Sequence, residues 1–319
     1  MTAPHAPGPA WASGYHAPVL VAEIVELLAG RSLVLDCTLG GGGHSAALLA
    51  AGARVIGLDR DPEAIEVARA RLEREEAEGR FRAVQTNYAA AAVASSGGPL
   101  GDLSFGGILL DLGVSSHQLD QADRGFSFRE GAPLDMRMGA DATRDAAALL
   151  NEADERELAH AFRDYGDEPR AAKLAREVVR RRGNRPFVTS DDFVGAIRGA
   201  LGARTGPGDF ARLFQAVRIA VNDELAGLEA ALPALRDRLE PGGVLAVIAY
   251  HSGEDRVVKH AFRDWADACT CPPLQPRCVC GAEAIGAPVT RRPILPTPDE
   301  CARNVRARSA KLRAWRSAE

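Results

Sequence analysis

The sequence predicts an α/β protein, a doubly wound parallel sheet interrupted by an all-α insertion. Three observations carry this expectation. Residues 33–59 read as a buried strand, a glycine run, a helix, a second strand and a terminal acid. The strand–helix alternation continues through a strand at 107–112 and resumes before a strand at 244–250. Between these, residues 141–202 are strongly charged, helical in pattern and lack a convincing strand.

The first strand, 33–35, ends in Asp36, and Gly40 to Gly43 then open φ > 0 and close ligand approach to the backbone. The Ala/Leu-rich stretch 45–51 predicts a helix stopped by Gly52. Residues 54–58 form the second strand. Asp59 closes it, about 20 residues past the glycines, where a carboxylate can accept both hydroxyls of a ribose. Ser45 stands where the third glycine of a dinucleotide fingerprint belongs, so the expected ligand bears adenosine without being an obvious dinucleotide.

Asp61-Pro62 predicts an N-cap and first helical position for a helix reaching about Arg74. Residues 81–85 form a third strand, with Asn87-Tyr88 directly after it, and 95–102 form a surface loop. The fourth strand, 107–112, carries Asp111 near its carboxyl end, the edge at which such sheets bind ligands. In the insertion, helices are expected at 143–151, 154–164, 169–182 and 193–201, the last capped by Ser190-Asp191-Asp192. Further helices follow at 210–228 and 232–239. The strand 244–250 then leads into His251-Ser252-Gly253-Glu254-Asp255-Arg256 and a helix reaching Trp265. The expected organisation is a disordered leader at 1–15, a Rossmann-like domain at 16–140 and 203–319, and an inserted helical substrate-recognition domain at 141–202.

Composition bounds the function. A net charge of −4 over 319 residues gives no global nucleic-acid signature, so any RNA contact must be local. Two basic stretches qualify, 170–185 and the tail 303–316, the latter holding Arg306, Arg308, Lys311 and Arg313 with no acid between them. Each is either a phosphate track or a solvated face. No run approaches 18 apolar residues and no signal peptide is visible, which speaks against a membrane span. Six cysteines, four of them bunched late in the chain, point to a reducing, cytoplasmic setting. Cys269-x-Cys271 and Cys278-x-Cys280 are either a tight four-thiolate zinc site or plain thiols, and no metal is assigned.

The segment 111–138 (DLGVSSHQLDQADRGFSFREGAPLDMRM) is too rich in glycine, serine and charge for a packed element, and long loops at a sheet's active edge are usually functional. Asp111 and Gln118 are candidate cofactor contacts. Phe126 and Phe128 either stack a base or pack as core. Asp135 and His251 are candidate substrate-side catalytic groups. Asp135 has the alternative of pairing with Arg137 or Arg124, and His251 of holding its turn.

The stretches DCTLGGGGHS, IGLDRDPEAI, ILLDLGVSSHQLDQADRGFSFREGAPLDMRM, FQAVRIAVNDEL, PGGVLAVIAYHSGEDRVVK and NVRARSAKLR, in this order, closely resemble the ribosomal small-subunit methyltransferase H family, also called MraW. The resemblance runs from about residue 16 to 313. It implies a Rossmann-like S-adenosylmethionine-dependent methyltransferase with an inserted helical domain, acting on N4 of a decoding-region cytidine of 16S rRNA in the small ribosomal subunit. By motif position it implies that Gly42, Gly43 and His44 hold the methionine end of S-adenosyl-L-methionine. Asp59 would take the ribose hydroxyls, Tyr88 would lie against adenine, and Asp111 and Gln118 would complete the pocket. Gly253 replaces the family's leucine, which loosens that turn by roughly 1 kcal/mol. In place of the Asn/Asp-Pro-Pro-aromatic motif of many amino-methyltransferases stands Asp111-Leu112-Gly113-Val114. Two other readings compete: a nicotinamide-dependent oxidoreductase on the same sheet, and a non-catalytic RNA-binding or ribosome assembly factor that retains the pocket. Oligomeric state is left open.

Overall fold

The computed structural model describes residues 18–93, 98–267, 271, 277, 280 and 283–319. The expected leader at 1–15 and part of the expected loop at 95–102 lie outside these residues. The chain divides into two compact units, Met1–Gly113 with Gly227–Glu319, and Val114–Ala226.

The first unit is built on a seven-stranded sheet with strands β1 (Leu33–Asp36), β2 (Arg54–Asp59), β3 (Phe81–Gln85), β4 (Phe105–Asp111), β5 (Leu239–Ala249), β6 (Gly286–Pro288) and β7 (Lys311–Ser317). Their order is β3-β2-β1-β4-β5-β7-β6. The first five run parallel, while β7 runs antiparallel to both β5 and β6. The strand order reverses between β1 and β4, which makes the ends of these two strands the switch point at which such sheets bind ligands.

The helices of this unit that precede β4 are α1 (Val21–Leu27), α2 (Gly43–Ala50), α3 (Pro62–Arg71), α4 (Glu73–Ala77) and α5 (Tyr88–Val93). Asp61 caps α3 by accepting from the Glu63 amide, with Pro62 at the first helical position as the sequence predicts. Strand alternation sends side chains to two cores. Val34, Leu109, Val244, Ala246 and Ile248 meet Ile24, Leu48 and Ile65 on one face. Leu35, Ile108, Leu110, Leu245 and Val247 meet Ala91, Leu228, Leu232 and Phe262 on the other. Each such leucine or isoleucine contributes about 1.5–3 kcal/mol.

The second unit holds α6 (Ser116–Asp120), α7 (Ala146–Glu152), α8 (Glu155–His160), α9 (Ala171–Arg182), α10 (Ser190–Leu201) and α11 (Pro207–Asn222). The chain then continues through α12 (Glu224–Arg236), α13 (Ser252–Ala266) and α14 (Pro298–Arg303). After α8 the expected helix runs on as a π-helical turn, Ala161–Tyr165. Phe162, Leu174, Phe193, Ile197, Leu213, Phe214 and Val217 form the core of this unit.

Several expectations need correction. The helical unit is wider than 141–202, because Phe126, Leu134, Met136 and Met138 on one side and the apolar face of α11 on the other join its core. Phe126 is buried and Phe128 packs edge-on against Phe210 and Phe214, so both serve as packing. The sheet is not wholly parallel. The basic tail hides an alternating strand whose Leu312 and Ala314 are buried against one core and Trp315 against the other. The expected helix 210–228 breaks at Asp223, which adopts φ 55°, and the next helix begins at Glu224 rather than 232. Asp tolerates the left-handed region through local hydrogen bonding, so no glycine marks the break. The cap of α10 is Thr189, whose amide donates to Asp192 Oδ2 at 3.0 Å.

Gly166 follows the π-helical turn where a Cβ would lie 2.7 Å from the Phe162 carbonyl oxygen and 3.0 Å from Ala216 Cβ. Gly166→Ala is therefore expected to destabilise the helical unit by about 1–3 kcal/mol. Denaturant titration of the full chain measures this, and an unchanged midpoint would contradict the packing described.

Candidate cofactor site

The site grows from the carboxyl ends of three adjacent parallel strands, each ending in an aspartate. Asp36 ends β1, Asp59 ends β2 and Asp111 ends β4. Asp36 is buried, and its Oδ2 accepts from Ser45 Oγ at 2.7 Å while Oδ1 accepts from the Thr38 amide at 3.2 Å. Burial nevertheless raises its pKa against the pull of His44 and these donors. Thr38 Oγ1 in turn accepts from the Asp111 amide at 2.6 Å, joining the turn after β1 to the end of β4.

Asp59 Oδ2 accepts from the Gly40 amide at 2.8 Å and Oδ1 from the Asp61 amide at 2.9 Å. Burial pushes this carboxyl up to about 6 despite both donors. The glycine turn is what brings the Gly40 amide here. Gly40 and Gly42 adopt φ 50° and 73°, a region that L side chains rarely enter. A Cβ on Gly43 would lie 2.9 Å from Pro18 Cγ, so Gly43 serves close packing at the start of α2. Arg71 Nη1 donates to the Gly41 carbonyl at 3.0 Å and holds the turn from α3.

His44 is buried on α2. Its Nε2 donates to the Val19 carbonyl at 2.8 Å, and Nδ1 lies 3.6 Å from Asp111 Oδ2. Tyr250, directly after β5, donates its hydroxyl to Asp111 Oδ1 at 2.8 Å. Burial, then Asp111, pushes the phenol well up, so it remains a donor. Asp111 itself is pushed up to about 6 by burial, against the pull of His44 and Tyr250. Tyr88 opens α5 and is half-buried. It follows the turn in which the Thr86 amide donates to the Asp59 carbonyl at 2.8 Å.

Gly42, Gly43, His44, Asp59 and Asp111 thus lie on the strand ends and the glycine turn that opens α2, all in the first unit, with Tyr88 in the turn beyond β3. Gln118 belongs to the helical unit. It is buried there, and its Oε1 accepts from the Ser115 amide at 3.0 Å in the capping box of α6. Asp135, in the same unit, accepts from Arg137 Nε and Nη2 at 2.8 Å each, which holds its carboxyl below the usual range. His251 caps α13: Nδ1 accepts from the Glu254 amide at 3.4 Å, and Nε2 lies 3.1 Å from Glu254 Oε1. Both residues therefore make the structural contacts weighed from sequence. Gly253 sits in the first turn of α13, which this His251–Glu254 box secures.

Asp36, Thr38, Ser45 and Tyr250 were not assigned to the site from sequence. An acid ending β1 with Thr and Ser two and nine residues later was a legible signal for the first three. None existed for Tyr250, which meets Asp111 only through the sheet.

Of the tail cations, Arg313 Nε donates to Asp255 Oδ1 at 2.7 Å, and Lys311 lies 3.5 Å from Asp255 Oδ2. These two are engaged in the fold, while Arg306 and Arg308 are exposed. In the 170–185 stretch, Arg180 and Arg181 pair with Glu177, and Arg182 donates to the Leu150 and Ala153 carbonyls. Of the four clustered cysteines, Cys269 and Cys278 lie outside the described residues. Among the described residues no His, Cys, Asp or Glu group is placed to hold a metal ion, and no helix is long and apolar enough to cross a membrane.

A donor to the ionised form favours it, so Tyr250→Phe is expected to move the Asp111 titration above its value of about 6. Carbon-13 NMR of labelled carboxylates reads this directly, and an unmoved titration would contradict the bond's importance.

The model of the MraW methylase family matches residues 13–318. A protein of Gemmatimonas aurantiaca named ribosomal RNA small subunit methyltransferase H is 64% identical over 304 residues, covering 95% of this chain and 96% of that one. Proteins of the same name from Anaeromyxobacter sp. (strain K) and Heliobacterium mobile are 50% and 46% identical, each covering 94% of this chain and 96% and 97% of their own. The match spans both units and includes every motif that forms the aspartate-lined turn, and the chain belongs to the MraW methylase family.

Proposed function

We propose that this protein is an S-adenosylmethionine-dependent rRNA methyltransferase that methylates N4 of a decoding-region cytidine in 16S rRNA of the small ribosomal subunit. The observation that carries the cofactor assignment is the row of Asp36, Asp59 and Asp111 at three adjacent strand ends beside the glycine turn. A ribose diol and a ligand with cationic sulfonium and ammonium groups suit such a site. Ser45, standing where the third glycine of a dinucleotide fingerprint belongs, disfavours the oxidoreductase reading.

The residues present fit that cofactor. Asp59 would accept the ribose hydroxyls, with its outer geometry fixed by the Gly40 and Asp61 amides. Gly42, Gly43 and His44 would border the methionine end, Tyr88 would lie against adenine, and Asp111 would accept from the ligand's amine. The family resemblance adds Gln118 to these contacts. The bound cofactor supplies an electrophilic methyl group for in-line displacement, so the protein's task is positioning and charge placement.

Cytosine N4 is a weak nucleophile because its lone pair is delocalised into the ring, and an acceptor for its N–H strengthens it. Asp135 is our candidate for that acceptor. Its depressed pKa makes it a poor base towards the free amine, but the methylated, cationic nitrogen is acidic enough to surrender its proton to a carboxylate. His251 fits a supporting role through the cap of α13. Arg306 and Arg308 are the tail cations we assign to RNA phosphates. An rRNA substrate carries with it a cytoplasmic location.

Labelled S-adenosylmethionine incubated with undermethylated small subunits, followed by nucleoside mass spectrometry, tests the function. N4-methylcytidine at one decoding-region position is expected. Cofactor binding without transfer would favour the assembly-factor reading. Asp135→Asn should lower turnover at least tenfold while leaving cofactor affinity nearly intact; equal loss of both would remove Asp135 from the substrate side. Asp59 and Asp111 are carboxylates above about pH 6 and neutral acids below it. Cofactor affinity should therefore hold from pH 8 to 7 and fall by pH 5 roughly tenfold for each carboxylate, about a hundredfold for the two together. Calorimetry showing a flat affinity across this range would contradict the carboxylate roles.

A further inference from the structure

We propose that Asn222 is a positioning residue for methyl transfer, its side-chain amide clamping the left-handed turn that presents Asp135 and Arg137. The inference rests on the reading of Asp135 as a substrate-side group.

Asn222 is the last residue of α11 and is buried. Its Oδ1 accepts from the Met138 amide at 2.8 Å, and its Nδ2 donates to the Met136 carbonyl at 2.7 Å. The same Nδ2 reaches the Arg218 carbonyl at 3.0 Å, which fixes the amide on its own helix. One side chain thus pairs with the backbone as a neighbouring strand would, gripping Met136 and Met138 and leaving the residue between them facing outward.

The gripped turn is strained. Met136 adopts φ 62° although it is neither glycine nor an Asn or Asp with a local hydrogen bond, and its side chain is fully buried. Other anchors hold it too: the Met136 amide donates to the Arg124 carbonyl at 3.0 Å, and the Asp135 carbonyl accepts from the Ala146 amide at 2.8 Å. Gly125, itself at φ 71°, leaves no room for a side chain against the same turn. A Cβ there would lie 2.2 Å from the Pro133 carbonyl oxygen and 2.9 Å from the Asp135 amide nitrogen.

The result of this over-determination is a partly exposed Asp135 forked onto an exposed Arg137. Core packing requires only that Met136 point inward, which an ordinary extended segment also achieves. Strain held in place by several independent anchors, with a charged pair at its apex, is the pattern of a functional turn. Asn222 lies in the stretch FQAVRIAVNDEL, a motif that the cofactor site does not use.

The test uses the full chain with Asn222→Asp, Gly125→Ala and Asp135→Asn. Asn222→Asp keeps the volume but replaces the donor to Met136 with an acceptor, and Gly125→Ala displaces the turn by its clash with the Pro133 carbonyl and Asp135 amide. Both should lower kcat on undermethylated small subunits at least tenfold and leave the calorimetric Kd for S-adenosylmethionine within twofold. Hydrogen exchange should quicken in the peptide holding residues 135–138. Wild-type kcat in a folded Asn222→Asp protein overturns the proposal, as does parallel loss of cofactor affinity. If Asn222→Asp shows no cooperative melt, Gly125→Ala decides; if neither folds, the clamp is a folding element and the proposal falls. Wild-type turnover in Asp135→Asn, with a tenfold loss in Asn222→Asp, would sink the Asp135 reading while keeping the clamp for Arg137.

Discussion

The first unit is organised around the need to satisfy three carboxyl groups placed side by side at the ends of parallel strands. An unpaired buried carboxylate costs several kcal/mol or takes up a proton. Here the donors come from every element that meets the strand ends: the Gly40 and Asp61 amides, Thr38, Ser45 and the Tyr250 hydroxyl. The left-handed glycines, the placement of α2 and the junction after β5 follow from delivering those donors. Desolvation still outweighs them at Asp59 and Asp111, leaving both carboxyls near 6.

The helical unit solves a different problem with similar means. Its core is aromatic and aliphatic, yet its polar anchors are side chains bonded to backbone, the buried Asn222 on Met136 and Met138 and the half-buried Asn151 on Phe187. Arg212 meets the buried Glu168 at 2.7 Å in the same spirit. Each anchor fixes a non-repetitive segment against a helix, which lets a glycine-rich stretch hold one conformation. That stretch was expected to be a loop at the sheet's edge, and the structure makes it part of the helical core.

Basic residues divide in the same way between fold and surface. Arg313 and Lys311 are engaged with Asp255, and Arg182 caps carbonyls at the end of α7 and beyond it. A charge run in sequence does not distinguish these from Arg306 and Arg308. The distinction depends on which side of a strand or helix each residue takes and on how far that side is covered.

The sequence by itself determined what is local. The order of β1 to β5, the glycine turn, the acids ending the strands and the Asp61-Pro62 helix start are all written in short-range periodicity and turn chemistry. It also carried the family, because the residues of the glycine turn and of 111–138 form contiguous motifs. What only the tertiary structure decided is long-range: Tyr250 on Asp111 across 139 residues, Asn222 on Met136 across 86, and a basic tail folded back as the antiparallel β7. These partners meet only when the sheet closes and the helices pack, and no pattern along the chain specifies a hydrogen bond whose two ends are brought together by the fold itself.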